Sequence, residues 1–241
     1  MIKIDDDPIL SPISVISNTS GMIDFEGKLS LTLWVQGCNL ACGWCHNPVL
    51  IKQGSLKRIP YEEVKNTIKT YKESDWIDAV VISGGEPTLF SGLGKLCSMI
   101  KELNIAIKVD TNGTRPTTIL ELLDILDEND YIAIDYKIPI DDYIKHTDTM
   151  FGERVLVSID ALRKTNIPYE IRTTIIENVH TRGVFIEMMK NIKKDDLWIL
   201  QSFNNQRVLH EKYLLEANTT KHYLQILEKI AKDVGYNVRI R

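Results

Sequence analysis

Three cysteines, Cys38, Cys42 and Cys45, fall within eight residues of a stretch rich in small and turn-forming residues, GCNLACGWCHNP. Clustered thiols in a cytosolic chain are more often metal ligands or redox groups than structural disulfides. Structural zinc wants four ligands, usually as two separated pairs. The fourth cysteine, Cys97, sits in the helix pattern KLCSMIKEL and reads as a buried apolar residue. His46 could complete a zinc site only if the chain folded back sharply beside Cys45. A redox pair would use Cys42 and Cys45 and leave Cys38 unexplained. A four-iron cube, held at three corners by three thiolates on one loop, keeps its fourth iron open to chelate a small molecule. That reading uses all three thiols, and a zinc-binding module remains the alternative.

Other groups capable of chemistry occur as short motifs: Gly84-Gly85-Glu86-Pro87, Asp110-Thr111-Asn112-Gly113, Asp135-Tyr136-Lys137 and a lone Arg172. Each needs an element to aim it. Residues 29–36 alternate like a strand and run into the cysteine loop. YEEVKNTIKTY, after Pro60, places Val64, Ile68 and Tyr71 on one helix face. Residues 77–83, 105–110, 131–137 and 167–176 read as strands, and LWILQSF and YNVRIR continue the series. Helical patterns lie between them, one opened by Pro116. The alternation predicts an α/β fold with a mostly parallel sheet, open or partly closed into a barrel. No linker or internal repeat stands out, so one domain over residues 1–241 is expected, with a core at 15–205 and a C-terminal helix and strand over 206–241. In such sheets chemistry gathers at the C-terminal ends of the strands. The cysteine loop and the three short motifs fall at or near such an end, as do Gln201 and Phe203, while Arg172 lies inside its strand; random scatter would put half at the opposite rim.

Cys-x3-Cys-x2-Cys after a first strand, with Trp44 before the last cysteine, and Gly84-Gly85-Glu86-Pro87 after the second, together resemble the radical SAM superfamily. Cys45-His46-Asn47-Pro48, Asp110-Thr111-Asn112-Gly113 and Asp135-x-Lys137 resemble its glycyl-radical-enzyme activases. The lead-in FEGKLSLTLWVQGCN is most like activating proteins of anaerobic ribonucleoside-triphosphate reductase. The resemblance implies a partial (β/α)6 TIM-type barrel carrying a [4Fe–4S] cluster on Cys38, Cys42 and Cys45, with S-adenosylmethionine at the open iron. It implies that Trp44 and His46 flank the adenine, that Gly84, Gly85 and Glu86 meet the methionine amino group, and that Asn112 belongs to the same binding set. Lys137 would contact S-adenosylmethionine and Arg172 would approach its carboxylate. Asp110, Thr111 and Asp135, with a backbone carbonyl near Ala133, resemble the monovalent-cation site of pyruvate formate-lyase-type activases. The family's late histidine has no match; the corresponding strand end reads Gln201-Ser202-Phe203-Asn204-Asn205, and Gln201 or Asn204 would take its place.

The resemblance implies an oxidoreductase that cleaves S-adenosylmethionine and takes hydrogen from a glycine of a partner enzyme, anaerobic ribonucleotide reductase being favoured, with flavodoxin or ferredoxin as electron donor. A small-molecule radical SAM enzyme such as 7-carboxy-7-deazaguanine synthase is the runner-up. Composition agrees with a globular protein: 44% hydrophobic, 26% charged, net charge −4. That charge gives no basic footprint for nucleic acid. The start lacks a secretory pattern and the apolar runs are too short to span a bilayer, so a cytoplasmic location is expected. Read singly, several residues are bland. Asn112-Gly113 is a common turn pair, Lys137 could be a solvated lysine, Trp34 reads as packing, and Asp5-Asp6-Asp7 as a solvated terminus. Arg172, aimed into a covered sheet, needs a partner.

Overall fold

A computed structural model describes residues 13–19, 24–52 and 54–241; Asp5-Asp6-Asp7 lies outside them. Among these residues eight strands form one sheet: β1 (Ile13–Thr19), β2 (Ser30–Val35), β3 (Ala79–Gly84), β4 (Ala106–Thr111), β5 (Tyr131–Asp135), β6 (Tyr169–Ile175), β7 (Trp198–Ser202) and β8 (Val238–Ile240). They lie side by side in chain order. β1 pairs antiparallel with β2, and every other pair is parallel. Among the described residues seven α-helices complete the fold: α1 (Tyr61–Glu73), α2 (Leu93–Glu102), α3 (Pro116–Leu123), α4 (Tyr143–Thr147), α5 (Gly152–Leu162), α6 (Arg182–Met189) and α7 (Lys221–Lys232). Pro60 and Pro116 open α1 and α3 as expected.

Sequence reading missed β1 and began the sheet at residue 29. ISVISNT carries little apolar signal, and an antiparallel edge strand needs no crossover helix to announce it. A register irregularity between Ile13 and Val15 breaks its alternation further. The short helix α4 was also missed, since five residues give no helical period.

Side chains alternate across the sheet, so each strand serves two environments. One face meets the helices through Leu31, Leu33, Val80, Ile82, Ile107, Val109, Ile132, Ile134, Ile171 and Leu200, all fully buried in one apolar core. The opposite face lines the barrel lumen. Register there sets Lys108 between Val81 and Tyr131, Ala133 between Asp110 and Glu170, and Arg172 between Asp135 and Ile199. Barrel lumens are usually filled by branched apolar residues. Here apolar packing closes one end, where Phe25 meets Ala79 and Val81, and charged groups follow it along the lumen. The helices thus carry the hydrophobic stabilisation and leave the lumen free for polar work.

Candidate active site

The cysteine loop leaves β2 at Val35 and is stitched to the next strand by its glycines. Gly85 N donates to Val35 O (2.7 Å) and Glu86 N to Gly37 O (2.8 Å), while Gly37 N and Cys38 N donate to Leu50 O and Ile51 O. A Cβ on Gly85 would lie 2.1 Å from Gly37 O, and Gly84 has φ +119°, so only glycine lets the two backbones approach this closely. On the far side Ala41 N bonds Thr147 O at the end of α4, and His210 N bonds Gly43 O (2.9 Å). The Tyr213 ring packs so tightly that a Cβ on Gly43 would come within 2.4 Å of it. The loop is therefore clamped from both sides before any cofactor arrives.

Glu86 is expected from the resemblance to meet the methionine amino group, but its side chain is fully buried away from the cavity. Its carboxylate accepts from Thr88 N (3.0 Å), the Thr88 hydroxyl, Thr111 Oγ1 (2.6 Å) and Asn112 N (2.6 Å). Burial raises its pKa, and those four donors oppose the shift. Glu86 ties the end of β3 to the end of β4. Asn112 extends the brace. Its Nδ2 lies 3.8 Å from Cys38 Sγ and donates to Asn39 Oδ1 (2.9 Å), while its Oδ1 accepts from Thr114 N and Oγ1.

Cys38, Cys42 and Cys45, all unoxidised, line one side of a cavity of about 170 Å³. Gly84, Gly85, Asp110, Asp135, Lys137 and Arg172 line it too, as do Trp44, His46, Thr111 and Asn112. Burial pushes the Cys38 thiol up to about 12, with the Glu86 charge adding to it, and the Cys42 thiol up to about 11, against the pull of Lys137. Cys45 is raised for the same first reason. Unligated, these thiols stay protonated, and a bound multivalent cation would supply the charge that deprotonates them. Among the described residues no set of three or more His, Cys, Asp or Glu side chains converges on one ion-sized point; the thiols border a cavity instead. Three free thiols on a preformed loop fit three corners of a cluster.

Opposite the thiols, ion pairs alternate. Arg172 NH1 lies 3.1 Å from Asp110 Oδ1 and its Nε 2.9 Å from Asp135 Oδ1, while Lys137 Nζ is 3.0 Å from Asp135 Oδ2. Ser83 Oγ donates to Asp110 Oδ2 (3.0 Å). Burial alone would raise Asp135, but Arg172 and Lys137 hold it below the usual carboxylate range. Burial would also lower Lys137, but the Asp135 charge, Cys42 and the Asp135 hydrogen bond together outweigh it and keep the ammonium charged. This set suits a ligand bearing a carboxylate and a cation. It does not suit a free monovalent cation on Asp110, Thr111 and Asp135. Arg172 spans both carboxylates, and the Thr111 hydroxyl donates to Glu86.

The third wall is aromatic. His46 stacks on Phe203 with centroids 5.7 Å apart and 21° between planes, and Trp44 contacts His146, His180 and Tyr213 edge-on or tilted. Burial lowers the His46 pKa, so a neutral imidazole on a benzyl ring offers a flat surface for a planar base. Neither Gln201 nor Asn204 lines the cavity. Phe203 points inward beside His46, and Asn204 reaches that imidazole through its backbone. Sequence reading missed Ser83, Asn39, Thr114 and His180. Ser83 was legible, two residues after Val81 on the lumen face. Asn39, Thr114 and His180 act through loop contacts that no periodicity encodes. His180 accepts from Ile176 N at Nδ1 and so donates from Nε2 to Lys137 O (2.8 Å), fixing the backbone that carries Lys137.

Comparison with known proteins agrees with this geometry. The Radical SAM superfamily matches residues 33–194. A Methanocaldococcus jannaschii protein, provisionally named a glycyl-radical enzyme activating enzyme, is 32% identical over 91% of each chain. The pyruvate formate-lyase-activating enzyme of Listeria monocytogenes serovar 1/2a is 30% identical over 74% of this chain and 77% of its own. The fold is also that of Streptococcus suis SuiB bound to S-adenosylmethionine, with a TM-score of 0.65 and 16% identity over 85% of this chain and 48% of that one. A cysteine loop, a glycine-spliced strand end and a carboxylate–lysine–arginine wall on one mostly parallel sheet thus accompany a sequence match over 91% of the chain, and the chain belongs to the radical SAM superfamily, alongside its glycyl-radical-enzyme activating members, with a [4Fe–4S] cluster and S-adenosylmethionine as cofactors.

Proposed function

We propose that this protein activates a glycyl-radical enzyme, and that the partner is an anaerobic ribonucleoside-triphosphate reductase. The observation that carries the reading is one cavity bordered by Cys38, Cys42 and Cys45 on one side and by Asp135, Lys137 and Arg172 on the other, in a chain matched over 91% of its length by an activase-like relative. Cys38, Cys42 and Cys45 would hold the cluster, which supplies the electron that cleaves S-adenosylmethionine to methionine and a 5′-deoxyadenosyl radical. Lys137 and Arg172 receive the ligand's carboxylate side, and Asp135 balances them. His46 and Phe203 support the adenine. Leu40 and Trp44 keep water from the thiols, which protects a radical from quenching. The bound group would thereby supply hydrogen abstraction at the Cα of a partner glycine, with 5′-deoxyadenosine and a glycyl radical as the products. Lys137, Asp135 and the Cys45-His46-Asn47-Pro48 run support this reading over a small-molecule radical SAM enzyme.

The test is anaerobic reconstitution with iron and sulfide, then dithionite and S-adenosylmethionine. The expected outcome is a brown protein with about four irons per chain that releases 5′-deoxyadenosine and methionine in equal amounts. Tight stoichiometric zinc with no cleavage would refute it.

A further inference from the structure

We infer that Arg172 is a built-in cation: its guanidinium takes, between Asp110 and Asp135, the place that family resemblance gives to a monovalent metal ion, so the site binds S-adenosylmethionine without one. This rests on the proposed ligand of the cavity.

Every side-chain oxygen of the expected cation site faces a donor or a charge of this chain. Asp110 Oδ1 faces Arg172 NH1 at 3.1 Å and Asp110 Oδ2 accepts from Ser83. Asp135 Oδ1 accepts from Arg172 Nε and Oδ2 from Lys137. Thr111 Oγ1 donates to the buried Glu86 and accepts from Gly113 N. An added cation would have to displace Arg172 and then sit beside it. Asp110 Oδ1, although buried, receives no well-aligned hydrogen bond, which suits charge pairing to a fixed cation more than solvation by water.

Arg172 also has nowhere to retreat. The next lumen layer holds its own ion pairs. Lys108 Nζ lies 3.6 Å from Asp110 Oδ1 and 3.9 Å from Glu170 Oε1, and it donates to Asp24 O. Glu170 is gripped by both terminal nitrogens of Arg241 (2.7 and 2.8 Å). Charges therefore alternate along the lumen: Arg241, Glu170, Lys108, Asp110, Arg172, Asp135, Lys137. Glu26, 3.6 Å from Arg241 NH2, closes the far end, so four cations face four anions and Lys137 stands at the cavity end, where an incoming carboxylate meets it. A guanidinium is planar, permanently charged and able to reach two carboxylates at once, a bridge that a metal ion would otherwise supply.

The experiment measures S-adenosylmethionine affinity of the cluster-loaded enzyme by equilibrium dialysis. The sole monovalent cation is sodium, potassium or tetramethylammonium at equal ionic strength. The dissociation constant is expected to agree within about twofold across the three. A weakening of about tenfold or more in tetramethylammonium, the ion too large for a protein cage, would overturn the inference. Arg172→Gln, checked for cluster by iron content and visible absorbance, should bind about tenfold more weakly in tetramethylammonium and regain much of that in potassium or sodium. Equal weakness in all three salts would also overturn it. Wild-type enzyme that binds no S-adenosylmethionine in any salt overturns the functional reading and the inference together, whereas salt-specific binding overturns the inference alone.

Discussion

Cys97 and the three loop cysteines differ in surroundings. Cys97 is sealed in α2 among apolar neighbours, its thiol pushed up to about 12 by burial, and it packs as a small hydrophobe. Cys38, Cys42 and Cys45 border open space beside Lys137. Spacing alone separated them, because three thiols in eight residues cannot all pack as core. Cys42→Ala should therefore abolish both the brown colour and S-adenosylmethionine cleavage, while Cys97→Ala should retain both. Cleavage surviving in Cys42→Ala would show the ligand assignment to be wrong. Glu86 was legible as part of a sheet-edge contact, and the bracing role of its carboxylate was not. Its motif suggests ligand contact, yet its carboxylate accepts four hydrogen bonds inside the protein. Glu86→Gln would turn an amide N–H toward donors and should lower stability by about 1–3 kcal/mol, read by chemical denaturation, with any loss of ligand affinity following from displaced Asn112.

At the scale of elements, the strands and main helices were readable because each carries a period of two or 3.6 and ends in glycine, proline or a polar turn. What sequence could not give was how strand ends are joined, since those joints are single hydrogen bonds across loops. The glycine splice is one such joint. Gly85→Ala puts a methyl into Gly37 O and should lower both the melting temperature and the iron retained after gel filtration. Gly183→Ala, in α6 with no atom nearer than 4.0 Å, should leave iron retention unchanged and slightly stabilise the helix. His180 is another joint. Burial lowers its pKa to about 4 from 6.5, so between those pH values the unfolded chain binds a proton that the folded chain refuses. Stability should accordingly rise with pH through that window and fall as pH drops from 6.5 to 4, by about 3 kcal/mol in total. His180→Gln can still donate to Lys137 O and accept from Ile176 N, and should remove that slope. An unchanged slope would mean the acid sensitivity lies elsewhere.

Across the whole molecule the division of labour is between the two faces of one sheet. The helix face carries the apolar core, and the lumen face carries a line of charges from exposed Arg241 through buried Glu170 and Lys108 to half-buried Lys137. Strand alternation placed Arg172 on the lumen face and predicted that it needs a partner; it has two, Asp110 and Asp135. Lys108 and Glu170, each two residues before a site residue, share that face and were overlooked because neither belongs to a motif. Lys108→Met leaves Asp110 and Glu170 short of one cation and should cost about 3 kcal/mol in denaturation. Among the described residues no helix is long and apolar enough to cross a membrane. The rim around the cavity is where a partner's glycine would have to reach the thiol side. The most direct measurement mixes the cluster-loaded, reduced protein and S-adenosylmethionine with the anaerobic ribonucleoside-triphosphate reductase of the same organism and records electron paramagnetic resonance. The account predicts a glycyl doublet that grows with 5′-deoxyadenosine released and is absent with Cys42→Ala. Release of 5′-deoxyadenosine with no doublet on any glycyl-radical enzyme, together with turnover of a pterin, would contradict it.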